Sequence, residues 1–107
     1  MHIFGEIINI MKLKYNEDQI IDQLSKYVES TYNQHYVGKN DIQTTDVWQS
    51  LDIAASMCHG TAIKYLMRFG KKEGYNKNDL LKAMHYIILL WHFTEDSNAS
   101  GIEEDKQ

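Results

Sequence analysis

The sequence predicts an all-α fold: a compact bundle of about four helices that assembles into an oligomer. Three observations point there. The 107 residues include no Pro and six Gly, so the punctuation of a turn-rich β architecture is missing. Apolar residues recur at three- and four-residue spacing in several segments, the period of a helix with one buried face. Residues that cap helices stand just ahead of those segments. A chain of this length has room for one domain and one core.

The first helix follows Asn16, with Gln19 three residues on, and runs to about Ser30. Ile20, Ile21, Leu24, Tyr27 and Val28 give it an apolar face. Residues 1–15 precede it as an N-terminal extension in which residues 3–10 fit a short strand or a helix, and Met11 offers an alternative translation start. A loop from Tyr32 to Thr44 follows. The second helix is capped by Thr44 or Thr45 and carries Val47, Trp48, Leu51, Ala54, Ala55 and Cys58. A kink or break near His59-Gly60 opens the third helix, which ends at Gly70. Ala62, Ile63, Leu66 and Phe69 point from it towards a core. Asn78 caps the last helix, which runs to about Phe93 with Leu80, Leu81, Ala83, Met84, Ile87, Ile88 and Trp91 as its apolar side. The helical domain therefore spans residues 16–93, and the polar, acidic tail of residues 94–107 is expected to stay disordered.

Composition restricts the compartment and the partners. No apolar run approaches the ~20 residues needed to cross a bilayer. The start lacks a basic flank followed by a small-residue cleavage site, which argues against a signal peptide. The single cysteine, Cys58, has no internal partner for a disulfide, and a reducing cytoplasm suits it. Glu95, Asp96, Glu103, Glu104 and Asp105 against Lys106 leave the tail at −4, the formal charge of the whole chain. Within the neutral remainder, Lys64, Arg68, Lys71, Lys72, Lys77 and Lys82 form a cationic band broken by Glu73 and Asp79. One cationic band on a neutral body suits a small anionic ligand better than a long nucleic acid.

The segment from His59 to Lys72 carries the strongest functional signal. A helix starting just after Gly60 puts Thr61, Lys64, Arg68 and Lys71 or Lys72 on one stripe. Its first turn would offer unpaired N–H groups and a partial positive charge to a phosphate. Gly60 would admit the ligand close to the backbone, and Thr61 would add a hydroxyl. Lys64 and Arg68 taken alone would read as a solvated cationic face. Asp79, Lys82 and Tyr86 share a face of the last helix: Lys82 can add a phosphate contact, Tyr86 can pack on a base or sugar, and Asp79 can orient a cation or hydroxyl. Asp79 also has a structural explanation, since an acidic residue in a first turn favours the helix dipole. In the loop, His35 and Tyr36 can stack on a base beside Gly38, or Tyr36 can pack back on the helices as an ordinary surface aromatic.

Several chemistries have no footing in this sequence. No Gly-rich phosphate loop ends in Lys-Ser/Thr, no Gly-x-Ser-x-Gly elbow occurs, and Cys58 sits in an apolar helical context that suits a buried thiol. The ordered body lacks the Glu-x-x-Glu pairs that hold magnesium in helical nucleotide pyrophosphohydrolases. His85 and His92 lack a carboxylate or cysteine to complete a metal set, and His59 diverges from Cys58 on a helix. No metal site made of protein ligands is expected.

His35-Tyr36, Asp46-Val47, Gly60 through Arg68 with Lys72, and Asp79-Leu80-x-Lys82-Ala83-x-x-Tyr86 together resemble the SaV-like domain family of phage proteins, commonly described as nucleotide kinases that lack a P-loop. The resemblance covers roughly residues 33–90. One departure stands out: Thr61 occupies the place where that family usually has Asn, which loses the amide's paired donor and acceptor. The resemblance implies a phage protein acting in the cytoplasm of an infected bacterial host. It also implies a nucleotide ligand bound by His35, Tyr36, Lys64, Arg68, Lys72, Asp79, Lys82 and Tyr86, beside Gly60 and Thr61.

In-line phosphoryl transfer needs two nucleotides, usually with a metal and a positioned base, and this chain is barely longer than the binding module itself. The expectation is therefore a sponge-like, anti-defence protein that sequesters (cyclic) nucleotide signals of bacterial antiviral defence, without catalytic residues and without a cofactor. The runner-up is a deoxynucleoside monophosphate kinase, which would use Mg2+. A third class is a regulatory module whose cationic band docks an acidic partner. A shallow pocket on so small a chain favours closure between copies, as a dimer or tetramer, with Trp48, Trp91, Tyr65 and Phe93 as apolar contacts.

Overall fold

The computed structural model describes residues 13–35, 43–71 and 73–99, the side chains of residues 33–35 and 96–99 excepted. Four helices account for nearly all of them: α1 (Glu17–His35), α2 (Thr44–Ser50), α3 (Ala54–Arg68) and α4 (Lys77–Ala99). The all-α expectation holds. The chain divides into two units, Met1–Asp41 with α1 and Ile42–Gln107 with the other three helices.

The α1 helix starts where the sequence places it, directly after Asn16. Asn16 adopts a left-handed backbone (φ 60°), a conformation its short polar side chain tolerates. The Ile20 N–H bonds back to the Asn16 carbonyl at 3.0 Å, and the Tyr15 N–H donates to Glu17 Oε1 at 2.9 Å. The helix continues past Ser30 to His35, further than its sequence indicates. The Ser30 and Thr31 hydroxyls, which read as a helix end, donate to the Tyr27 and Val28 carbonyls at 2.7 Å and so stay within it. The expected loop therefore begins after His35, and residues 36–42 lie outside the described residues.

The expected break at His59-Gly60 lies elsewhere. The α3 helix runs through both residues without interruption, and the break falls at Leu51-Asp52-Ile53. Asp52 is left-handed (φ 62°). The Ile53 N–H returns to the Trp48 carbonyl at 2.8 Å and the Asp52 N–H to that of Gln49 at 3.0 Å, the paired bonds of a Schellman stop. Asp is one of the few residues other than Gly that accept this backbone, so the stop carries no glycine to mark it. The α2 cap also sits one position earlier than Thr44: Gln43 is the N-cap, and its N–H donates to Asp46 Oδ2 at 2.8 Å.

Small side chains hold α3 against α4. Ala54, Cys58 and Ala62, four residues apart on α3, are buried at this contact together with Ala83 and Phe93 of α4. Trp48, Tyr86, Leu89 and Leu90 pack around Ala54, Cys58 and Phe93. Several large residues expected in the core face outward instead, among them Ile63, Leu66, Ile87, Ile88 and Trp91. Burial pushes the Cys58 thiol above its ordinary pKa.

Gly70 ends the turn after α3 as expected, with φ 86°, and a Cβ there would lie 3.0 Å from the Tyr75 ring. Its N–H bonds to the Gly74 carbonyl at 2.7 Å, and Phe69 packs edge-on against Tyr75. Asn76, not Asn78, caps α4: its Oδ1 accepts the Asn78 N–H at 2.9 Å. The helix also extends beyond Phe93 to Ala99, so residues 94–99 of the expected tail are helical, and residues 100–107 lie outside the described residues. The Trp91 indole N–H donates to Glu95 Oε2 at 2.8 Å across this last stretch.

Two outcomes test this description. Replacing Asp52 by Gly should stabilise the chain by roughly 0.5–1 kcal/mol in urea unfolding, because the left-handed residue then costs less. A thiol whose folded pKa is raised contributes stability fully below its unfolded pKa and loses it as pH rises above. The stability of the natural chain minus that of Cys58→Ala should therefore fall through the alkaline range and stay flat near neutrality.

Candidate functional site

The face of α3 turned away from α4 is concave. Gly60, Ile63, Lys64, Met67 and Arg68 share it through three- and four-residue spacing, and Lys71 joins them just past the helix end. Together they line an open groove of about 580 Å3. Gly60 adds no side chain to it, and a Cβ built there would stand in open space with no atom within 4 Å. Ile63 and Met67 form an apolar floor, 46% and 63% exposed. Lys64, Arg68 and Lys71 supply three cations around it.

The route by which sequence reached Gly60 and Thr61 does not survive. Gly60 lies inside α3, so its N–H belongs to the helical ladder and there is no helix N-terminus for a phosphate. The Thr61 hydroxyl donates to the Met57 carbonyl at 2.7 Å. Gly60 remains a groove residue, for its missing side chain and not for an exposed amide.

Behind the groove, Asp79 aligns Arg68. Asp79 is 5% exposed, and its Oδ1 lies 3.9 Å from Arg68 Nε, an electrostatic pairing longer than a hydrogen bond. Its Oδ2 is buried with no hydrogen-bond partner among the described residues. A buried carboxylate needs a compensating charge, and the guanidinium half-exposed at the groove is the nearest one.

Lys82 and Tyr86 meet at a ring that sequence had assigned to subunit contacts. The Tyr65 ring stacks on Tyr86, with centroids 6.3 Å apart and planes at 17°. The Lys64 ammonium sits 4.7 Å and the Lys82 ammonium 5.4 Å from the Tyr65 centroid. Trp48 packs on the far side of Tyr86 at 6.5 Å. Tyr86 is therefore held in an aromatic row, and Tyr65 is the residue that both ammonium groups share.

Of the residues singled out from sequence, Gly60, Lys64 and Arg68 come together in the groove, Asp79 stands behind Arg68, and Lys82 and Tyr86 gather at Tyr65. His35 is the last residue of α1, its side chain outside the described residues together with Tyr36 and Lys72. Ile63 and Met67 were missed as site residues although their spacing from Gly60 carried the signal, and of the two lysines the sequence offered for the end of the stripe, Lys71 lines the groove. Among the described residues no group of three His, Cys, Asp or Glu is placed to hold a metal ion, and no helix is long and apolar enough to cross a membrane.

Residues 30–88, more than half of the chain, match the DUF3310 family, described as a protein of unknown function; the chain belongs to that family. The expected membership of a nucleotide kinase or sponge family is thereby corrected. The resemblance rested on the order and spacing of four short motifs between residues 33 and 90, and the cations among them recur at a spacing any exposed helix face can show. No curated protein and no solved structure matches the chain.

Gly60→Ala should raise stability by roughly 0.5–1 kcal/mol in denaturant unfolding, since it removes a helix-interior glycine into open space. A loss of stability would show that the hollow is not free.

Proposed function

We propose, for this member of the DUF3310 family, that the outer groove of α3 binds a nucleotide through its phosphoryl oxygens. It holds that ligand without turning it over, which withdraws it from solution. The observation that carries this reading is the convergence of Lys64, Arg68 and Lys71 on one groove. Charge-assisted hydrogen bonds from three cations suit a ligand with at least two phosphoryl groups, and the planar Arg68 fork can take two oxygens of one phosphate. The apolar floor of Ile63 and Met67 gives a base or sugar something to cover, and the unbranched Met67 can adapt to its outline. A free cyclic dinucleotide meets the same requirements. An extended nucleic acid would ask for a longer basic track than one groove.

Calorimetry with ATP, GTP and cyclic dinucleotides in EDTA tests the reading, with inorganic pyrophosphate as the phosphate-only competitor. At least one nucleotide should bind without metal, more weakly as salt rises, and be recovered intact after heating. Lys64→Ala and Lys71→Ala should each weaken it roughly tenfold, the loss of about 1.5 kcal/mol for a charged contact. Incubation with ATP, magnesium and deoxynucleoside monophosphates should yield no diphosphate. Turnover there would make the chain a kinase, and failure of every nucleotide to bind would remove the proposal.

A further inference from the structure

The α4 helix has a second apolar stripe in addition to the one packed on α3. Ala83, Tyr86, Leu90 and Phe93 turn inward, while Leu81, Met84, Ile88 and Trp91 recur at three- and four-residue spacing along the other side. Trp91 is 68% exposed and Ile88 is exposed beside it, while Leu81 and Met84 continue the line half-buried. A contiguous apolar strip of this kind is uncommon on a lone chain and marks a contact surface. Its two ends carry opposite charge: exposed Lys77 at the N-terminal end and exposed Glu95 at the C-terminal end lie on the same line as the apolar residues.

That arrangement selects its partner. Laid antiparallel against a second α4 about a two-fold axis between Met84 and Ile88, the stripe is complementary to itself. Lys77 then meets Glu95 of the other copy, Leu81 meets Trp91, and Met84 meets Ile88, each pair occurring twice. The antiparallel helix dipoles also favour this pairing over a parallel one, which would set Lys77 against Lys77 and Glu95 against Glu95. We propose that this stripe of α4 joins two copies of the chain in an antiparallel, two-fold dimer. A stripe one helix wide buries less than the roughly 800 Å2 per partner of a standard interface, so the dimer dissociates reversibly. The stripe faces away from α3 and the groove faces away from α4, so the dimer forms whether or not a nucleotide binds.

Sedimentation velocity of the full chain over a concentration series should show monomer and dimer in exchange. Ile88→Glu should leave a helical monomer. Glu95→Lys, which sets like charges together twice per dimer, should weaken association roughly tenfold. Adding Lys77→Glu to it should restore the dimer, a rescue that a damaged fold cannot give. Glu95→Gln, which keeps an acceptor for the Trp91 indole, separates the charge from that hydrogen bond and should weaken association less than Glu95→Lys. A monomer at every concentration, as when α1 of the same chain covers the stripe, overturns the proposal. So does a dimer indifferent to Ile88→Glu, or a Glu95→Lys defect that Lys77→Glu does not repair.

Discussion

On the α3 side, the contact between α3 and α4 is built from residues with almost no side chain, and the rest of the unit follows from that. Ala54, Cys58, Ala62 and Ala83 bury little apolar area each, but they let two helices approach closely along their length. The large side chains that do pack here, Phe93, Leu89, Leu90, Tyr86 and Trp48, gather around Ala54 and Cys58. Other large apolar residues of the same helices lie on the two outer faces, where Ile63 and Met67 line a groove on one side and Ile88 and Trp91 a stripe on the other. Both surfaces are thus by-products of how the interior is filled.

Asp79 ties the electrostatics of the outside to the inside. Its place in the first turn of α4, after the Asn76 cap, is favourable for a carboxylate, yet its burial is not. Arg68 offsets part of that cost from α3 while its other N–H groups lie at the groove. The same pairing lowers the groove's positive potential, leaving Lys64 and Lys71 as the cations without a carboxylate partner among the described residues. A carboxylate that orients one guanidinium while weakening the field around it favours a ligand recognised by geometry over one gathered by charge alone.

Helix identity was legible in the sequence, and so was most of the cationic site. Periodicity found all four helices, and the Asn16 start and Gly70 stop were placed correctly because each uses a residue whose backbone preference is distinctive. Gly60 was misread because glycine more often ends a helix than hollows one, whereas Asp52, which does end one, resembles an ordinary surface acid. The burial assignments failed for a different reason. Apolar spacing on α4 marks two stripes, and a one-dimensional pattern does not reveal which of them meets the Ala-Cys-Ala line of α3. Lys64 and Arg68 were found because they sit one turn apart; Tyr65 was passed over because a ring shared by two ammonium groups from different helices exists only after packing.

The α2 helix is seven residues long and buries none of its own residues; Trp48 packs from it against Tyr86 of α4. It is capped tightly at both ends, so it has little reason to fray residue by residue and every reason to lift off as one piece. The left-handed Asp52 joins it to α3. Each excursion would bare the Tyr65–Tyr86 row from above while α3 and α4 stay closed. With so little buried, α2 is the helix of this unit whose amide protons are expected to exchange first, next to the Tyr86 ring.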